Sequence, residues 1–217
     1  MFELGRSDIG FGKLIVDEHG ITRTKLFRRE TIRWDDVRDY RVKVEFRARD
    51  PNVFFHNPIT DVKNTIEAMR GNSKRRYGMT LFGESSRVAF NWRFRDVGLA
   101  ITFAIEQIDA RITNASRALL EQHGEIRFGT LRLAEGGILV GSAYLGASQV
   151  EAIELFDANA LELRVMRKGK VWPLAKMKFH TVPNPYTLLA IAEELGYVVK
   201  GRELLPRFAP PVARVVR

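Results

Sequence analysis

Four histidines, His19, His56, His123 and His180, are the side chains best suited to acid–base or metal chemistry in this chain of 217 residues. An imidazole holds a metal or moves a proton productively only where carboxylates, thiolates or further imidazoles converge on it. The four lie far apart, and the chain has no cysteine. "WDD" at Trp34–Asp36 supplies adjacent carboxylates, but neighbours on a strand point to opposite faces, so they read as turn and hairpin residues. No phosphate-cradling glycine loop, nucleophile elbow or dinucleotide fingerprint is present. The expectation is a protein with no catalytic residue, no metal and no cofactor.

Positive charge is the stronger signal. The net charge is +9, spread over both halves of the chain. A surplus of that kind favours acidic partners: lipid headgroups, nucleic acid or an acidic protein. "RTKLFRRETIR" carries Arg23, Lys25, Arg28, Arg29 and Arg33, of which Arg28 and Arg29 are the candidates. "RGNSKRRYG" carries Arg70, Lys74, Arg75 and Arg76, and follows "DVKNTIEAMRG", which reads as a short helix with Val62, Ile66 and Met69 on one face. An apolar-faced helix beside a basic loop suits a membrane surface or an acidic partner. These six cations are the candidate anion- or partner-binding residues. "MRKGKVW", with Arg167, Lys168 and Lys170, reads as a solvated charged turn. In "NWRFRD" the spacing puts Trp92 and Phe94 on the core side of a strand and the arginines on the other, a weak signal for nucleic acid.

The elements that must carry these residues repeat. "FGKLIVDEHGI" from Phe11 recurs as "FGTLRLAEGGI" from Phe128, at an offset of 117. Alternation, an acidic turn with a glycine expected at φ > 0, and renewed alternation make each a β-hairpin. Ile32, Trp34 and Val37 then take the places of Leu145, Ala147 and Val150, at an offset of 113. Each half continues in short strands and closes with a helix. Asn184 with Pro185 caps the second helix. Asp96 caps the first, whose stripe Val97, Ile101, Ala104, Ile108, Ile112, Ala115 and Leu119 reaches Gly124 as one helix or two. Its later residues, Ile112 and Leu119, are expected to touch the second half. Matching Asp96 to Asn184 drops the offset to 88, so the first half holds 25 extra residues between Phe46 and Val88.

The hairpins "GKLIVDEHGI" and "GTLRLAEGGI", with "IRWDDV" after the first, resemble the opening of the pleckstrin-homology-like superfamily, nearest to bacterial pleckstrin-homology and GRAM-type modules. In the second half "LGASQV" lacks the family's tryptophan and aspartate. The resemblance implies a mainly β (α+β) fold of two tandem split β-barrels, each capped by a C-terminal α-helix. Residues 1–113 would form the first module, with an insertion at about 50–76, residues 114–200 the second, and 201–217 a flexible tail. Phe11, Phe128, Trp34 and Trp172 would be core or hairpin packing. Phospholipid-binding members carry basic residues at the first hairpin turn, whereas "VDEHG" and "LAEGG" are acidic. The expected function is therefore non-catalytic binding or scaffolding. The preferred partner is a protein, including a second copy through exposed strand edges, followed by an anionic membrane surface and then nucleic acid. The opening "MFELGRSDIG" has no basic-then-apolar leader pattern, so a cytoplasmic chain, peripheral on a membrane at most, is expected.

Overall fold

The computed structural model describes residues 2–5, 12–25, 28–47, 74–94, 96–157 and 160–205. Period-2 alternation becomes pleat: in β2 (Gly12–Val16) Leu14 and Val16 face the core, while Lys13, before them, faces solvent. β1 (Phe2–Gly5), β2, β3 (Gly20–Lys25) and β4 (Arg28–Arg33) form one antiparallel sheet in sequential order. A 3₁₀ turn, Trp34–Asp36, leads to a second sheet of β5 (Asp39–Arg47), β6 (Lys74–Phe82) and β7 (Arg87–Asn91). Helix α1 (Val97–His123) follows without a break through residues 113 and 114.

The second half runs through the same sequence of elements. β8 (Glu125–Phe128), β9 (Leu131–Ala134), β10 (Gly137–Val140) and β11 (Ala143–Gly146) form a sequential sheet. Another 3₁₀ turn, Ala147–Gln149, precedes β12 (Val150–Asp157), β13 (Leu161–Arg167) and β14 (Ala175–Lys178). A third 3₁₀ turn, Phe179–Thr181, leads to α2 (Pro185–Glu194), and β15 (Val199–Lys200) adds in parallel to β12. The described residues are thus mainly β, in four open sheets with two α-helices.

The likeness extends to register. Val16 pairs with Ile21 as Leu133 pairs with Ile138. The Trp34 amide donates to His19 O at 3.1 Å, and the Ala147 amide to Gly136 O at 2.9 Å, so both chains fold back onto their own first turn. β5 and β6 pair with residues 48–73 between them, whereas only 158–160 separate β12 from β13. The expected short helix with Val62, Ile66 and Met69 falls in 48–73, outside the described residues, as do Phe11, His56 and Arg70.

Several local expectations are corrected. Gly20 and Gly137 are not at positive φ. They are glycines because a Cβ would stand 2.3 Å from Ile32 O and 2.4 Å from Leu145 O, carbonyls of the neighbouring strand. Neither Asp96 nor Asn184 caps its helix through its side chain; both are left-handed, at φ 50° and 46°. Asn184 instead pairs with β5: its Oδ1 accepts the Tyr40 amide at 2.9 Å, and its own amide donates to Tyr40 O at 2.8 Å. Asp35 and Asp36 sit in a 3₁₀ turn and are both exposed.

One continuous apolar cluster runs through both halves. Val97, Ile101, Ala104, Ile108 and Ile112 of the α1 stripe are buried in it, but Leu119 is 48% exposed. The far end of α1 meets α2 through polar groups four residues apart. Asp109 Oδ1 accepts Tyr40 Oη at 2.7 Å and Thr187 Oγ1 at 2.9 Å. Thr113 Oγ1 donates to Thr187 Oγ1 at 3.2 Å, and Arg117 forks onto Glu194 at 3.0 and 2.5 Å. Arg111 ties the same helix to the first 3₁₀ turn through Trp34 O at 2.9 Å and Val37 O at 2.6 Å. Residues 201–205, where the tail was expected to begin, belong to the fold: Leu205 is buried and a Cβ on Gly201 would stand 2.2 Å from Leu155 O.

Candidate anion-binding face

The alternation of β5 sends Tyr40, Val42 and Val44 inward, which leaves Asp39, Arg41, Lys43 and Glu45 on the outer face of its sheet. Strand pairing then sets the rows. Asp39 lies opposite Phe82, which lies opposite Arg87; Arg41 opposite Thr80 and Ala89; Lys43 opposite Gly78 and Asn91. Small residues down the middle and long cations at the sides make a trough of ≈ 340 Å³. Arg23 of β3 closes one wall and His180, from the third 3₁₀ turn, the other. Its size is within the roughly 300–1,000 Å³ of ordinary ligand sites.

Arg41 and Arg87 approach the Phe82 ring from the strands on either side, each with its guanidinium carbon 5.3 Å from the centroid. Arg23 donates to Ala89 O on β7, with Glu30 at 3.9 Å. Glu30 also meets Arg28 at 3.3 Å, so Arg28 adjoins the trough through a shared carboxylate. Lys43 is paired with Glu45, and Arg41 lies 3.9 Å from Asp39. That last pair is loose: Asp39 Oδ1 and Arg41 Nε are buried with no hydrogen-bond partner among the described residues. Burial pushes the Asp39 carboxyl above its usual range, against the pull of Arg41. Arg87 has no carboxylate partner among the described residues. Burial and then the charges of Lys43, Lys178 and Arg41 hold His180 below the ordinary imidazole value, with Glu45 opposing. The part of that pressure which comes from Lys43, Lys178 and Arg41 is one that an anion would relieve.

Of the six cations singled out by sequence, Arg76 lies on this outer face, opposite Glu45, with its guanidinium carbon 3.8 Å from the Trp92 ring centroid. Lys74 and Arg75 belong to strand β6 rather than a loop, opposite Arg47 and Phe46. Arg28 and Arg29 begin β4 and are exposed. Arg41, Lys43 and Arg87 are not among the candidates that the sequence marks, and His180 is marked there only for acid–base or metal chemistry. The polar positions of "DYRVKVEF" mark Arg41 and Lys43 as outward, but no local pattern announces that Arg87 and His180 meet them.

Two aromatic expectations are also corrected. Trp92 is not in the core: β7 stops at Asn91, whose Oδ1 accepts the Arg93 amide at 3.2 Å, and this turn leaves the indole 38% exposed. Trp172 is not packed either, and is 77% exposed on the β13–β14 connection. Trp34 and Phe128 are buried as expected, and Trp34 Nε1 donates to Asp17 O at 2.8 Å. Asp17 Oδ1 accepts the amides of His19 and Gly20 at 2.9 and 3.0 Å, so the acidity of the first turn has a structural use. Among the described residues no three His, Asp or Glu side chains converge as a metal site would require, and no helix is long and apolar enough to cross a membrane. No protein-family model and no curated protein matches the chain.

Proposed function

We propose that this chain is a non-catalytic binding protein built of two tandem pleckstrin-homology-like modules, and that the outer face of β5–β6–β7 docks an acidic protein segment. The repeated order of four-stranded sheet, 3₁₀ turn, three sequential strands and helix supports the two-module reading. The trough carries the functional one: Arg23, Arg41, Lys43 and Arg87 line it, and Arg87 offers a guanidinium to which no described carboxylate is paired. Charge of one sign in a concave, partly dry site steers and holds the opposite sign. Nucleic acid is the poorer fit, because single strands need free aromatic faces to stack on. On this face the Phe82 ring is flanked by two guanidiniums and Trp92 is covered by Arg76.

The test places a photo-crosslinking residue at Thr80, in the floor of the trough, in the native cell. A captured acidic polypeptide is expected, and Arg41→Glu/Arg87→Glu should reduce its capture more than about tenfold, as reversal of two contacting charges demands. Equal capture by the reversed variant, or capture of RNA instead, would overturn this reading.

A further inference from the structure

The β13–β14 connection presents a second surface, in the other half of the chain. Its tip is Val171 and Trp172, which at 85% and 77% are the most exposed of the large hydrophobic side chains among the described residues. Around them the segment "RKGKVWPLAKMK" supplies Arg167, Lys168, Lys170, Lys176 and Lys178, and not one carboxylate. Among the described residues none of these five cations forms an ion pair. The presentation is built rather than loose. The Lys168 amide donates to Gln149 O at 2.9 Å, Lys170 to Arg167 O at 3.1 Å and Leu174 to Val165 O at 2.8 Å. Gly169 turns the chain at φ +67°, and Pro173 restrains the residue before it.

We infer that this hairpin is a docking finger for an anionic lipid surface. An apolar tip inside a collar of cations that no described carboxylate pairs, with Lys176 Nζ 5.9 Å from the Trp172 ring centroid, matches the bilayer boundary. The indole rests at the headgroup level, the aliphatic side chain beside it goes into the acyl boundary, and the ammonium groups reach the anionic headgroups. Each cation near such a surface strengthens binding about five-fold. Trp172 with lysines would also suit a single-stranded nucleic acid, but Val171 adds nothing to base stacking and is the more exposed of the two. β14 is a sheet edge, and its exposed Lys176 and Lys178 oppose strand addition by a second copy. Apart from Lys178, whose charge also reaches His180, the inference uses no residue of the trough and stands independently of it.

The experiment measures sedimentation of the full chain with vesicles of phosphatidylcholine alone and with about 30 mol% phosphatidylserine, since the charge term requires the anionic lipid. Binding to the anionic vesicles only is expected, with release at high salt. In a Trp92→Phe background, where Trp34 is buried, the indole emission should shift to the blue on binding and be quenched by brominated acyl chains. Val171→Ser/Trp172→Ala and Lys168→Glu/Lys170→Glu should each lose more than about tenfold in partitioning, while Arg41→Glu/Arg87→Glu keeps it. All substituted positions but Arg41 are exposed, and the thermal midpoint of each variant checks its fold. No binding to the anionic vesicles would overturn the inference. So would undiminished partitioning of the tip variant, or an emission change with oligothymidylate but not with lipid.

Discussion

Asp109 sits where the two halves meet, and its one carboxylate oxygen takes hydrogen bonds from Tyr40 and Thr187, residues far apart in sequence. Such an acceptor is costly to bury unless its donors are held in place. Tyr40→Phe should therefore destabilise the protein by about 1–3 kcal/mol, the range for a buried group losing its partner. Denaturant titration measures it, and a change within error would show the hydroxyl to be dispensable. The pH dependence follows in sign. Burial, and after it the charge of Asp109, hold the Tyr40 hydroxyl well above its usual value of 10.0. The folded state keeps that proton longer than the unfolded one, so this stabilisation is complete below pH 10.0 and lost as pH rises through the folded value. Tyr40→Phe should accordingly flatten the alkaline decline in stability seen for the wild type. Asn184 belongs to the same scale. Its left-handed backbone and its bonds to Tyr40 explain why an apparent helix cap spends its side chain on a strand of the other half.

At the scale of elements, the repeated glycine tests whether the likeness between the halves is physical. Gly20 and Gly137 start β3 and β10, each facing a carbonyl of the next strand at a distance no Cβ tolerates. Gly20→Ala must push β4 away, and a cost of about 1–3 kcal/mol is expected, as for overpacking elsewhere. Gly137→Ala should cost a similar amount, since Tyr144 crowds the same spot. If hydrogen exchange in β3–β4 and the denaturation midpoint are both unchanged by Gly20→Ala, the close approach is not what requires glycine there. This scale is also where the sequence was most readable. Strand alternation and the α1 stripe from Val97 to Ile112 follow from periods of 2 and 3.6, which burial imposes directly on composition. Trp92 and Trp172 were not readable. An indole belongs to the core on average, and only an Asx turn at Asn91 and a hairpin tip at Gly169 turn these two outward. The trough was half-readable, through the outward Arg41 and Lys43, because its remaining walls come from other elements.

For the whole molecule, α1 and the junction of β5 with the second half matter most. The helix is continuous across residue 113, where the halves were divided by sequence. One apolar cluster spans both halves, and Glu45 bridges to Ala160 beside the sheet whose strand β14 leads into the 3₁₀ turn of His180. The trough is therefore finished by the second half: its first-half cations act on an imidazole that reaches them only when the halves are docked. Lys43, Lys178 and Arg41 press the His180 pKa down together with burial, and Glu45 lifts it. Arg23 and Arg87 line the same trough, and Asp39 borders it opposite Phe82. An anion bound there would add a second lifting charge, so binding takes up a proton. Affinity should then rise as pH falls through the His180 value of the complex, until His180 is protonated in the free protein too. Stability of the free protein moves the other way. The folded value lies below the unfolded one, so the contribution is complete above pH 6.5 and lost as pH falls through the folded value. The measurement is isothermal titration of an acidic peptide between pH 5 and 8 in two buffers of different ionisation heat. Proton uptake is expected for the wild type and its absence for His180→Ala, which should still bind at pH 8. A wild type that takes up no proton would remove His180 from the anion's surroundings.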